Sequence, residues 1–190
     1  MQIDVEKGLL LNVRQVPSPN YNERPNGTVV DLLVIHNISL PPGEFGHSHI
    51  DAFFTNSLDF SLHPYFAEIA SLQVSSHCLI ERSGAIVQYV PFTKRAWHAG
   101  ASWFAGREDC NNFSIGIELE GADHIPYTQP QYECLTKLVK LLRKTYPRIT
   151  EDRIVGHSTI APGRKTDPGP AFDWKLLADL LGQSQNEKLA

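Results

Sequence analysis

The stretch VVDLLVIHN, Val29 to Asn37, decides the fold. It is a β-branched, apolar run interrupted only by Asp31, and it ends abruptly in His36 and Asn37. A run of this kind, without polar alternation, reads as a central strand buried on both faces of a sheet. A histidine that closes such a strand needs a partner for its ring, because burying an unpaired polar group costs free energy.

Working outward, FSIGIELEG (Phe113–Gly121) alternates. Ile115, Ile117 and Leu119 point one way; Ser114, Gly116, Glu118 and Glu120 point the other. HCLIERSGAIVQYV (His77–Val90) reads as two strands joined by a Ser83-Gly84 turn. TQPQYECLTKLVKLLRKTY (Thr128–Tyr146) is the strongest helix. Thr128 and Gln131 form a capping box, Pro130 is tolerated in the first turn, and Pro147 follows the stop. Tyr132, Leu135, Leu138, Val139 and Leu142 share one face, while Lys137, Lys140, Arg143 and Lys144 turn away. A second helix is expected from Asp173, carrying Trp174, Leu177, Leu180 and Leu181. Pro and Gly cluster at 17–27, 41–46 and 161–170, which are loops. The expected architecture is a single α/β domain over residues 1–182. It has a mixed central β-sheet of about four or five strands with helices packed on it. A polar tail, 183–190, is expected to fray.

Composition excludes several function classes. A length of 190 residues suits one domain with its own core. The net charge of −4, with no block of like charges, argues against a nucleic-acid partner, which needs a basic face. No segment approaches the roughly 18 apolar residues of a membrane span, and the N-terminus does not read as a signal peptide. Cys78, Cys110 and Cys134 are far apart and odd in number, so they form neither a disulfide framework nor a CxxC zinc site. Reduced cytosolic thiols are the simplest reading, and a monomer is expected.

The candidate chemistry sits in three places. GHSTIAPGRKTDPG (Gly156–Gly169) crowds a His, an Arg, a Lys and an Asp onto a Gly/Pro-rich loop. His36, His157 and Asp167 make a three-ligand zinc set with a fourth position for water, or else a core histidine and two surface groups. Glu118 is the natural base for such a water, beside Gly116, which leaves room for a ligand. The alternative is that Glu118 and Glu120 are the wet face of an edge strand. Lys165, two residues before Asp167, shares its side in an extended loop, or is simply solvated. RAWHAGASWFAGRED (Arg95–Asp109) places Trp97, His98, Trp103 and Phe104 among Gly and Ala in a long loop. Such aromatics suit stacking on a sugar, and Arg107 suits a carboxylate. Trp103 or Phe104 could equally anchor the loop to the core.

Taken together, LLVIHN, RAWHAG, FSIGIELEG and GHSTIAPGRKTDPGPAFDW resemble the zinc-dependent N-acetylmuramoyl-L-alanine amidases of the second amidase family. That family shares its fold with the peptidoglycan recognition proteins. PSPNYNERPNG and PYFAEI are similar to its cytoplasmic recycling subgroup, which cleaves 1,6-anhydro-N-acetylmuramyl peptides. The resemblance runs from about residue 4 to residue 175. It implies one catalytic zinc held by His36, His157 and Asp167, with Glu118 as catalytic carboxylate and Lys165 beside the metal. It also implies substrate contacts at Asn37, Trp97, Arg107 and Ala161, and an anhydro-muropeptide substrate. Two rival expectations are a lytic amidase acting on intact peptidoglycan and a binding module that has lost catalysis. The sequence departs from the subgroup at Thr159, where an Asp is usual. His77 is not needed as a ligand.

Overall fold

Residues 1–182 are described by a computed structural model, so the tail expected at 183–190 lies outside the described residues. Six strands form the main sheet: β1 (Arg14–Gln15), β2 (Leu32–Ile38), β3 (Cys78–Ile80), β4 (Ile86–Gln88), β5 (Ser114–Glu120) and β6 (Ile154–Gly156). Their spatial order is β6-β2-β5-β3-β4-β1. β6, β2, β5 and β3 run parallel; β3 and β4 form the antiparallel hairpin, and β1 pairs parallel with β4. The mixed sheet is as expected, with one strand more. β1 is two exposed polar residues, too short to show any periodicity. β2 begins at Leu32 rather than Val29, which is half-exposed.

The helices are α1 (His49–Phe54), α2 (Pro64–Glu68), α3 (Gln129–Thr145), α4 (His157–Ile160) and α5 (Trp174–Leu181). The expected capping box is formed: the Thr128 hydroxyl accepts from the Gln131 N–H and Gln131 Oε1 from the Thr128 N–H. The predicted face of α3 is buried throughout. It packs against Leu33 and Ile35 of β2 and Ile115, Ile117 and Leu119 of β5 in one core cluster. Truncating one of these side chains, Leu135, to Ala should cost about 2–5 kcal/mol. α5 starts at the predicted cap, where Asp173 accepts from the Leu176 N–H. Of the four apolar residues expected to carry its packing only Leu177 is fully buried, because α5 lies against α3 rather than the sheet.

α1 and α2 close a second core with Leu79, Val87 and Tyr89. These helices have six and five residues, too short for a sequence period to reveal them. The remaining face of β2 is covered by Ala99, Cys110, Phe113 and Ile160.

β5 therefore lies between two strands and beneath cover on both faces, and all seven of its residues are buried. This overturns the edge-strand reading of Glu118 and Glu120. The parallel run of β2, β5 and β6 brings three carboxyl ends to one edge of the sheet. The crevice outside such an edge is where open α/β sheets place their ligands.

Candidate active site

His36 and Glu118 lie in register across β2 and β5, near the ends of both strands. Strand alternation puts both side chains on the face opposite the Ile/Leu set. His157 is the first residue of α4, directly after β6. Asp167 returns to it because Gly156 has no side chain. A Cβ there would stand 2.7 Å from Pro168 Cδ, and the close approach lets the Ser158 N–H donate to the Asp167 carbonyl at 3.0 Å.

Three ligand atoms converge. His36 Nδ1 lies 3.0 Å from both His157 Nδ1 and Asp167 Oδ2, and His157 Nδ1 lies 3.1 Å from the same oxygen. Both histidines are buried. His157 Nε2 donates to the Ala99 carbonyl at 3.0 Å, which leaves Nδ1 as the nitrogen turned to the cluster. Burial brings His36 down to about 4, even with Asp167 alongside, so it is neutral at pH 7. An imidazole lone pair this close to a carboxylate oxygen is repulsive unless a proton or a metal cation lies between them. Two imidazole nitrogens and one carboxylate oxygen form a donor set that fits zinc and leaves room for a water.

These atoms open into a cavity of about 370 Å³. Its polar side holds His36, Asn37, Glu118, Asp123, Lys165 and Asp167; its apolar side holds Leu40, Phe53, Tyr65, Ile69 and Leu72. A larger open groove of about 930 Å³, lined by Leu11, Arg14, Pro130 and Lys137 among others, shares no residue with it.

Glu118 is the most unusual group there. Its Oε2 is buried without a hydrogen-bond partner. Burial, and then the charge of Asp167, push its carboxyl well above the usual carboxylate range, with Lys165 opposing. An orphaned buried carboxylate in a native fold calls for a reason, and a proton-carrying role supplies one. Glu120, two residues on, is spent structurally: its oxygens accept from the Gly46 and Arg82 N–H groups.

Other expected residues fall differently. Asn37 lines the cavity, with its amide nitrogen already donating to Asp123 Oδ1 and the Pro168 carbonyl. Trp97, Arg107 and Ala161 do not line it. The Trp97 indole N–H donates to Asn22. The Arg107 guanidinium donates to both oxygens of Asp31 at 2.8 Å and stacks 3.7 Å over Phe113, so its charge is committed within the fold. Ala161 is buried beside the 101–103 turn. The space beside Gly116 is likewise not open to a ligand. A Cβ there would stand 2.4 Å from the His98 ring, which fills it.

Several roles were not legible in the sequence. Arg164 donates to the Ala99 and Ala101 carbonyls, holding the turn against which His157 is anchored. His77 is fully buried, and its Nδ1 accepts from the Gly116 N–H. Phe104 packs into the core as one of the two candidate anchors, whereas Trp103 is 56% exposed. Thr159 is exposed on α4 and displaces no ligand. Asp123 and the apolar cavity wall were missed, because they come from short elements with no periodic signal.

A buried carboxylate beside a convergent His–His–Asp cluster, at the carboxyl edge of a mixed α/β sheet, defines a hydrolase centre. The chain belongs to the N-acetylmuramoyl-L-alanine amidase family, whose pattern matches residues 26–170. It is similar to the 1,6-anhydro-N-acetylmuramyl-L-alanine amidase AmpD of Escherichia coli (strain K12), with 60% identity over 94% of this chain and 97% of that protein. AmpD of Salmonella typhimurium (strain SL1344) is 57% identical over 97% of this chain and 98% of that protein. A crystal structure of a selenomethionine AmpD derivative superposes with a TM-score of 0.92 at 57% identity, covering 95% of this chain and 99% of that one. These findings bear out the resemblance, the amidase activity it implied and the α/β fold. Among the described residues no helix is long and apolar enough to cross a membrane.

Proposed function

We propose that the protein hydrolyses the amide between the lactyl group of 1,6-anhydro-N-acetylmuramic acid and L-Ala of muropeptides, in the recycling of cell-wall fragments. One zinc would be held by His36, His157 and Asp167. The observation that carries the reading is the unpartnered carboxylate oxygen of Glu118, buried in the cavity that also holds three convergent ligand atoms. Kinship with amidases named for this substrate supports it.

When bound, zinc lowers the pKa of a water towards about 7 and polarises the amide carbonyl. Glu118 takes the proton as water attacks and returns it to the leaving amine. Its raised pKa suits the second half of that task, since a carboxyl that holds its proton can deliver it. Lys165, exposed on the 161–170 loop at the cavity, opposes the oxyanion with its ammonium. Asn37, whose amide nitrogen is engaged, offers its amide oxygen to a substrate N–H. The apolar wall from α1 and α2 excludes water from one side of the substrate.

A cytoplasmic monomer is part of this reading. The free thiols of Cys78, Cys110 and Cys134 suit a reducing compartment. The test is to incubate the protein with anhydro-muramyl tripeptide and with intact sacculi, each with and without a chelator. Peptide release from the former, abolished by chelator and restored by zinc, is expected. Chelator-resistant release, or cleavage of sacculi alone, would overturn the reading.

A further inference from the structure

Behind His36 runs a chain of hydrogen bonds into the core. His36 Nε2 lies 2.9 Å from His98 Nδ1, and His98 Nε2 lies 3.0 Å from the Ser114 hydroxyl. Ser114 Oγ in turn lies 2.6 Å from the Cys110 carbonyl oxygen. All three side chains are buried.

The direction of this chain is set at its far end. A carbonyl oxygen only accepts, so the Ser114 hydroxyl proton must point to Cys110; two oxygens 2.6 Å apart with no proton between them would repel. With its one proton used, Ser114 accepts from His98 Nε2–H. His98 Nδ1 is then a lone pair and accepts from His36 Nε2–H. His36 Nδ1 is consequently a lone pair as well, and it is the atom that faces His157 and Asp167.

This direction decides what the cluster can do. With a proton on Nδ1, His36 would donate it to Asp167 or His157 and could not offer that nitrogen to a metal. With the proton on Nε2, His36 Nδ1 and Asp167 Oδ2 both present lone pairs to the centre of the cluster, an arrangement that a metal cation satisfies. We propose that His98 is a positioning residue: with Ser114 it fixes His36 in the tautomer that leaves Nδ1 free, and so keeps the cluster ready for metal. The ring is held firmly enough for this task. It packs on Gly116, where any Cβ would collide with it, and the His98 and Ala99 N–H groups both donate to Asn111 Oδ1. A partner that orients a metal-binding histidine typically changes metal affinity about 10- to 100-fold when removed.

The inference rests on the reading of His36, His157 and Asp167 as zinc ligands, and the experiment separates the two. Zinc affinity of the full chain is measured by competition with a chromogenic chelator for wild type, His98→Phe and His98→Gln. Histidine tautomers of the zinc-free wild type are read from long-range proton–nitrogen-15 spectra. His98→Phe keeps a ring but removes the acceptor, and should weaken zinc binding about 10- to 100-fold. His98→Gln retains one acceptor and one donor and should recover most of that loss, which a purely structural role would not allow. The wild-type spectrum should show His36 protonated on Nε2. A His36 proton on Nδ1 overturns the inference, as does zinc binding by His98→Phe equal to wild type. Wild type that binds no zinc overturns the ligand reading instead, and the tautomer spectrum then judges the relay alone. If His98→Phe does not fold, the spectrum and the His98→Gln affinity decide.

Discussion

Glu118 and His36 are register partners on two adjacent parallel strands, and both side chains open onto the same cavity. One register pair thus places a proposed metal ligand and the proposed proton carrier side by side. Neither group is solvated as an ordinary polar residue would be. The strand pair holds them where backbone hydrogen bonding, not side-chain choice, sets the spacing.

Glu118→Gln should abolish turnover while zinc remains bound at one equivalent. It should also raise stability. Burial holds the folded pKa of Glu118 above its unfolded value, so the folded state is favoured at low pH and that advantage is lost as pH rises from the ordinary carboxylate range towards the raised folded value. A neutral isostere removes the cost, by about 1 kcal/mol at pH 7. Activity, zinc content and a urea midpoint on one preparation check all three, and normal turnover would refute the assigned role.

Lys165→Ala should lower kcat about 100- to 1000-fold with a smaller effect on KM, as loss of an oxyanion partner does. Steady-state kinetics on anhydro-muramyl tripeptide resolves the two parameters. A change confined to KM would mark Lys165 as a binding group only.

Arg107→Ala should act on stability rather than on substrate binding. Arg107 and Arg153 both donate to the partly buried Asp31, and Arg107 covers Phe113. The Arg107 side chain is partly exposed and Asp31 keeps Arg153, so losing this pair should cost about 1 kcal/mol. Thermal unfolding and KM measured together decide it; a large rise in KM at unchanged Tm would return Arg107 to the substrate.

Gly116→Ala touches no proposed ligand, yet its methyl would enter the His98 ring. The overpacking should cost about 1–3 kcal/mol, read from a denaturant midpoint. An unchanged midpoint would show that the ring moves aside freely.

The zinc-free protein should weaken in mild acid. Burial holds His77 down to about 3 and His36 down to about 4, both below the 6.5 of an unfolded chain. Below pH 6.5 the unfolded state binds protons that the folded state refuses, so stability falls as pH drops from 6.5 towards those values. Each such histidine removes about 1.4 kcal/mol per pH unit. Glu118 works in the opposite sense and offsets part of the loss. Urea midpoints at pH 7, 6 and 5 lie above the ordinary carboxylate range and isolate the effect. A flat series would mean that the buried histidines take up protons without unfolding.

Much of the fold was written locally. The unbroken apolar run at β2, the period-two alternation at β5 and the capped, one-faced α3 are each local patterns that mark their own element. Each therefore came out within a few residues of its observed bounds. The proposed zinc ligands were legible as a set chiefly through the resemblance, since spacing alone favoured a core histidine and two surface groups. Elements of four to six residues, such as α1, α2 and α4, left no trace, because they are shorter than two helical turns.

What the sequence determined by itself is the set of periodic elements and the kinds of side chain carried on their ends. Tertiary structure decided how those side chains are used. It buried Glu118 inside a central strand, gave Arg107 to Asp31 and filled the space at Gly116 with the His98 ring. It also joined Cys110, Ser114, His98 and His36 into one relay. The physical reason is separation along the chain. His36 meets His98 across 62 residues and His157 across 121, and no local pattern encodes a hydrogen bond between groups that only the closed sheet brings together.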